Sequence, residues 1–261
     1  MVAYCLSLKP KELGDRARHS RQSPPIPEAP ARSVYPVLNS VAGYGTLKGS
    51  VTIVGPLTVQ KPLKRKGEKF RDLTLKEDVI DESLVISRDR GVDNVVIFLT
   101  LAPEGFTPAP PPKKPVVFEI HEDRFIPHVL FVRTGQFVEI INKSNRPASV
   151  HTHPRRNRGV IRLLQMNGST IRSRYARPEK MPLRVHSNFY PWMSAYHLSL
   201  PHPFAAVTRD GKFQIDKLPA GTHEFTVWHE RAGYIHRALR VVVKPNEVTE
   251  VQLKIPAAKF R

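Results

Sequence analysis

One cysteine, Cys5, is present in 261 residues, and that scarcity excludes several kinds of chemistry at once. No intrachain disulfide, cysteine-rich zinc site or dithiol redox pair can form. No apolar run approaches the length of a membrane span. The opening apolar stretch ends at Leu8 with no basic region before it, which is too short for the core of a signal peptide. Acidic residues are scarce too: 23 Asp and Glu stand against 41 Lys and Arg, a formal charge of +18. Such an excess says nothing about fold, but it favours anionic partners: nucleic acid, acidic polysaccharide, anionic lipid or an acidic protein surface. Fourteen glycines are outnumbered by 25 prolines. So much proline argues against long helices and for short strands joined by stiff loops. Glycine-rich phosphate loops, nucleophile elbows and zinc-protease motifs are all missing, so the sequence indicates neither an enzyme nor a resident cofactor.

What is present reads as strands. Residues 1–33 are basic, Pro-rich and aperiodic, which predicts a disordered tail. GTLKGSVTIVG, beginning at Gly45, alternates small and β-branched residues between glycines. Residues 60–72 are expected to form a charged loop. Strands are expected at 83–88 and 94–101, the second (NVVIFLTL) apolar on both faces and so set between two layers. Residues 103–115 (PEGFTPAPPPKKP) predict an extended connector. VVFEIH, HVLFVRTG and QFVEIIN resume the strands. From Lys143 to Arg184 run eleven Lys or Arg and one acid, Glu179, a stretch expected to be mostly loop with one or two short strands. Strand patterns return at WMSAYHLSL and continue to TEVQLKI. Asp210-Gly211 signals a hairpin, and LPAG a second turn in which Gly221 supplies a positive φ. Helix-period segments are nearly absent, so the fold class is all-β.

Two stretches carry family resemblances. VTRDGKFQIDKLPAGTHEFTVWHE, from Val207 to Glu230, resembles the carboxypeptidase regulatory-like (transthyretin-like or starch-binding-like) β-sandwiches, whose early strands match Gly49–Val54 and Asn94–Leu101. RFIPHVLFVRTGQFVEIINKS and SNFYPWMSAY resemble cupredoxins. Together these imply a discontinuous transthyretin-like sandwich over 44–115 plus 201–256, interrupted by a Greek-key cupredoxin-like domain over 116–200. The seams fall at the Pro-rich connector and at LPHPF. The resemblance also implies the cell envelope or periplasm, and it keeps carbohydrate open as a ligand, with Tyr44, Tyr234 and Trp228 as ring-stacking candidates.

The cupredoxin resemblance fixes where copper ligands would fall. A blue-copper site needs two His and one Cys around the ion, with a weak axial Met. Here the thiolate position is Ser187, the second imidazole position is Tyr190, the first falls at Ala148 or, in a shifted register, near His151, and only Met193 is kept. A hydroxyl and a lone thioether do not hold the ion, so the copper site is expected to be lost. Met193, Trp192 and Tyr190 then serve as core residues.

Three further groups stand out. His151 and His153 share a face if their stretch is a strand, and with His186 or His128 they offer a different metal site. The plainer reading is three exposed histidines in a cationic loop. In Trp228-His229-Glu230, neighbouring strand residues point opposite ways, which removes an acid–base pair and leaves Trp228 in a core. Arg155, Arg156, Arg158, Arg162, Arg172, Arg174 and Arg177 are anion-binding candidates, because guanidinium forks suit phosphate, sulfate or carboxylate. Tyr175 among them could stack on a base or a sugar. The expected function is therefore a non-enzymatic binding or scaffold protein whose partner is an anionic polymer or acidic protein surface. Three alternatives stand beside it: a carbohydrate-binding module, a copper electron carrier with an atypical ligand set, and a nucleic-acid binder that no recognised motif supports.

Overall fold

The computed structural model describes residues 43–57, 61–71, 73–166 and 168–260. The tail expected over 1–33, and Cys5 with it, lies outside them. The strands in chain order are β1 Tyr44–Val54, β2 Lys69–Phe70, β3 Leu73–Thr74, β4 Val96–Leu99, β5 Val116–Ile120, β6 Phe125–Ile126, β7 Val129–Arg133, β8 Phe137–Asn142 and β9 Ala148–Thr152. They continue as β10 Ile161–Leu164, β11 Thr170–Arg174, β12 Leu183–His186, β13 Ser194–Leu200, β14 Ala205–Val207, β15 Lys212–Pro219, β16 Gly221–His229, β17 Gly233–Val243 and β18 Val248–Pro256. A 3-10 turn at Ala257–Phe260 follows, and no α-helix occurs among the described residues. The all-β class therefore holds. Among the described residues no helix is long and apolar enough to cross a membrane.

Four sheets stack through three cores. The order β15-β1-β18 makes the first sheet and β14-β4-β16-β17 the second. Leu47, Val51, Phe213 and Ile255 of the one meet Ile97, Leu99, Phe225 and Val241 of the other. The third sheet, β10-β9-β12-β13-β7, and the fourth, β11-β8-β5-β6, enclose Phe118, Ile140, Val150, Leu164, Val185 and Met193. Between the second and third sheets, Val96, Phe98 and Trp228 pack on Val129, Leu198 and Leu200. Each such side chain contributes roughly 1.5–3 kcal/mol by leaving water. β4 is the hinge of this arrangement. All four of its residues are buried. Because strand side chains alternate, Ile97 and Leu99 enter one core while Val96 and Phe98 enter the other.

Three local expectations are corrected. Residues 83–88 do not form a strand; their one β pairing is the isolated bridge of Ile86 to Val92. The basic stretch holds four strands, β9 to β12, rather than one or two. β11 shows why: its Arg172 and Arg174 are exposed while Ile171 packs inward. An alternation of Arg with Ile or Ser is easily taken for a charged loop. Asp210-Gly211 does turn the chain, with φ of 51° and 69° and mutual backbone hydrogen bonds between Arg209 and Lys212. The strands it joins do not pair as a hairpin, because β14 pairs with β4 and β15 with β1. The turn carries the chain from one layer to the next. Gly211 is required there: a Cβ would sit 2.4 Å from Gly91 Cα and 2.7 Å from Val51 O.

Candidate metal centre

The strand register assembles three imidazoles that lie apart in sequence. β9 and β12 pair antiparallel, with His186 opposite His151 and Val185 opposite Thr152. His153, two residues beyond His151, returns to the same face. One ring nitrogen from each of His151, His153 and His186 lies within 4.8 Å of the others. The centroid of the His151 ring is 4.1 Å from that of His153 and 4.8 Å from that of His186. His153 Nε2 and His186 Nδ1 are 2.9 Å apart and share one hydrogen. Asn188 Oδ1 lies 3.4 Å from His151 Nδ1 and steadies that ring from the side. His153 is exposed and the other two half-buried, so the cluster is open to solvent.

Electrostatics favour the neutral ring at His153 and at His186. Partial burial lowers the pKa of His153, and the charges of His151 and Arg184 lower it further. His186 is lowered by burial first and then by the charges of His153, His151 and Arg184, against a hydrogen bond to Asn188 that acts the other way. Deprotonated rings keep the lone pairs that a metal uses. The cluster contains no carboxylate. His128 does not join it; that ring instead meets Glu230, at the seam between the second and third sheets.

The positions at which the cupredoxin resemblance places copper ligands are filled by packing. Ala148 and Met193 are core residues beside Val150 and Leu164. Ser187 is buried, and its hydroxyl lies 3.2 Å from that of Ser149. The backbone amides of Phe189 and Tyr190 donate to the same Ser187 oxygen at 3.2 Å. Ser187 N donates to Met193 O and Met193 N to Tyr190 O, closing the loop on itself. The Tyr190 ring lies tilted beside that of Trp192, centroids 5.5 Å apart, and carries the Arg146 guanidinium 5.6 Å from its centroid. The side chain of β9 that reaches Ser187 is that of Ser149, while Ala148 packs into the core.

The seven candidate arginines are all exposed, but they stand on different elements. Arg155, Arg156 and Arg158 lie on the turn between β9 and β10, Arg162 on β10, Arg172 and Arg174 on β11, and Arg177 beyond it. Arg172 pairs with Glu139 across the β8–β11 ladder, and Arg174 covers the Phe137 ring. Glu179, the one acid of the segment, is buried and accepts from the amides of Arg155 and Arg156 and from Asn157 Nδ2. Tyr175 is not a stacking surface: it is buried, with its hydroxyl 2.8 Å from His197 Nδ1. Trp228 is likewise withdrawn, 5% exposed and edge-on to Tyr196, so it offers no face to a sugar. Tyr44 does remain exposed.

No family profile and no curated protein matches this chain. Some solved structures resemble it weakly. A purple cupredoxin from Nitrosopumilus maritimus aligns at 12% identity and a TM-score of 0.28, over 32% of this chain and 98% of its own. A mutant of amicyanin in its reduced state aligns at 17% identity and 0.29, over 41% of this chain and 99% of its own. A copper-containing nitrite reductase from Thermus scotoductus SA-01 aligns at 16% identity and 0.30, over 38% of this chain and 24% of its own.

Proposed function

We propose that this chain is a non-enzymatic binding protein that holds a divalent transition metal, zinc or copper(II), at His151, His153 and His186, and that it carries no blue-copper centre. The convergence of the three ring nitrogens carries the reading. Imidazole is a borderline ligand suited to both ions. In a tetrahedral site with Zn–N near 2.0–2.1 Å, ligand nitrogens sit about 3.3 Å apart. That value falls between the 2.9 Å of the His153–His186 contact and the 4.8 Å limit of the cluster, so small ring rotations suffice. The metal takes the place of the hydrogen that His153 and His186 share. With three ligands from the protein, a fourth position stays open.

Titration of the chelator-stripped full chain with copper(II) should show one strong site. Its electron paramagnetic resonance spectrum should carry coupling to ring nitrogens, without an intense thiolate-to-copper absorption band. His153→Ala should weaken uptake by at least roughly tenfold, the equivalent of 1.4 kcal/mol. Uptake that is unchanged in both His153→Ala and His186→Ala would end this reading. An intense blue band would restore the copper carrier.

A second reading is supported by the exposed arginines, of which Arg172 alone pairs with a carboxylate among the described residues. It is contact with an anionic polymer. Affinity for heparin should then fall steeply with salt, because each neutralised charge releases a counterion. Reversing Arg155, Arg156, Arg158 and Arg162 to Glu should weaken it far more than reversing Lys64, Arg65, Lys66 and Lys69. Equal losses would mean that only overall charge matters.

A further inference from the structure

We infer that the metal at the histidine triad takes a phosphate group as its external ligand, with Arg184 as the second anchor. This rests on the triad holding a metal at all. Three neutral imidazoles leave both charges of a divalent ion uncompensated, and no carboxylate belongs to the cluster. The segment's own acid cannot serve, since Glu179 is buried and already bonded to the Arg155 and Arg156 amides.

Arg184 adds a further positive charge on the same face. The β9–β12 register that sets His186 against His151 sets Arg184 against His153, and His153 N donates to Arg184 O at 2.9 Å. Directly opposed residues on one face of an antiparallel pair have Cβ atoms about 4.5–5.5 Å apart. Arg184 is exposed, so its guanidinium is free to reach over the site.

An open metal position beside a guanidinium fork calls for an anion with several oxygens. A phosphate dianion balances the metal charge through one oxygen and still offers others to the fork. Acetate can neutralise one charge but cannot span both groups as well. Free phosphate and a phosphate ester present the same chemistry, and an ester adds only bulk on the solvent side.

The test uses copper(II)-loaded full chain and the 31P resonance of inorganic phosphate, which bound copper(II) broadens. Broadening should appear with loaded protein, vanish with excess chelator, and be displaced poorly by acetate. Arg184→Gln should weaken the phosphate effect about tenfold, with copper uptake undiminished and with recovery in Arg184→Lys. Phenyl phosphate should compete if esters are accepted; its failure confines the site to free phosphate. If copper binds and the 31P line stays sharp, or if acetate competes equally, the phosphate assignment is wrong. If copper does not bind, the triad reading falls as well, and uptake measured first separates the two failures.

Discussion

Glu230→Gln is expected to lower the stability of the folded chain by about 3–5 kcal/mol, the cost of stripping one partner from a buried ion pair. Glu230 Oε1 meets His128 Nε2 where both side chains are almost wholly buried. The contact joins the end of β16 to the start of β7, 102 residues apart. Glu82 lies 3.7 Å from the other His128 nitrogen and also pairs with Arg124. Arg231 reaches back to Asp81 and Ser83 in the same turn. Burial opposes a charge on His128, but Glu230 and Glu82 outweigh it and raise its pKa to about 9. Its neighbour His229 is pushed the other way, to about 4, first by burial and then by the charges of His128 and Arg231. Tyr196, 6.3 Å from the His128 ring, also faces this group, and burial raises its pKa.

The pH dependence follows from the sign of the His128 shift. A pKa raised on folding contributes stability that is fully present below the ordinary value near 6.5 and is lost as pH rises through about 9. Thermal denaturation between pH 6.5 and 9 should therefore show a falling midpoint in the parent chain. In Glu230→Gln that slope should flatten, because Glu230, the first of the two carboxylates that raise the His128 pKa, is gone. A midpoint that falls equally in both proteins would remove His128 as the source.

Parts of this arrangement are legible in the sequence and parts are not, for separable physical reasons. NVVIFLTL announces a strand buried on both faces, and Val96–Leu99 does feed two cores. Asp210-Gly211 announces a turn from its residue types alone, but not which sheets the flanking strands enter, since that depends on partners far along the chain. β9 to β12 are obscured because their outward positions carry His151, Thr170, Arg172, Arg174 and Arg184, and edge strands such as β10 even expose Ile161 and Leu163. The histidine pair is visible as H-x-H. The third ring, 33 residues on, joins only through the β9–β12 register, and nothing local distinguishes His186 from His128. Glu230 is hidden in the same way: beside His229 it suggests an acid–base pair, while its real partner lies in another sheet.

A chain ending at Pro115 is expected not to fold at all, whereas excising residues 110–200 behind a short Gly-Ser bridge is expected to leave a cooperatively folding sandwich. We base this on how strands are shared. β1 lies between β15 and β18, and β4 between β14 and β16, so the first and second sheets both need segments from both sides of the excised stretch. Every strand from β5 to β13 pairs within that stretch. The ends are already close. The Arg133 guanidinium donates from one nitrogen to Ala109 O at 2.8 Å and to Pro201 O at 2.9 Å, so a few residues can join them. The excised protein loses the cover over Val96, Phe98 and Trp228. An apolar patch of this kind drives association, so the product should unfold cooperatively in denaturant yet sediment as a dimer or larger. Phe98→Ser with Trp228→Ser should return it to a monomer, at some cost in stability. Cooperative unfolding of a 43–115 fragment would refute the shared-strand account, and so would an excised chain with no strand signal in circular dichroism in either version.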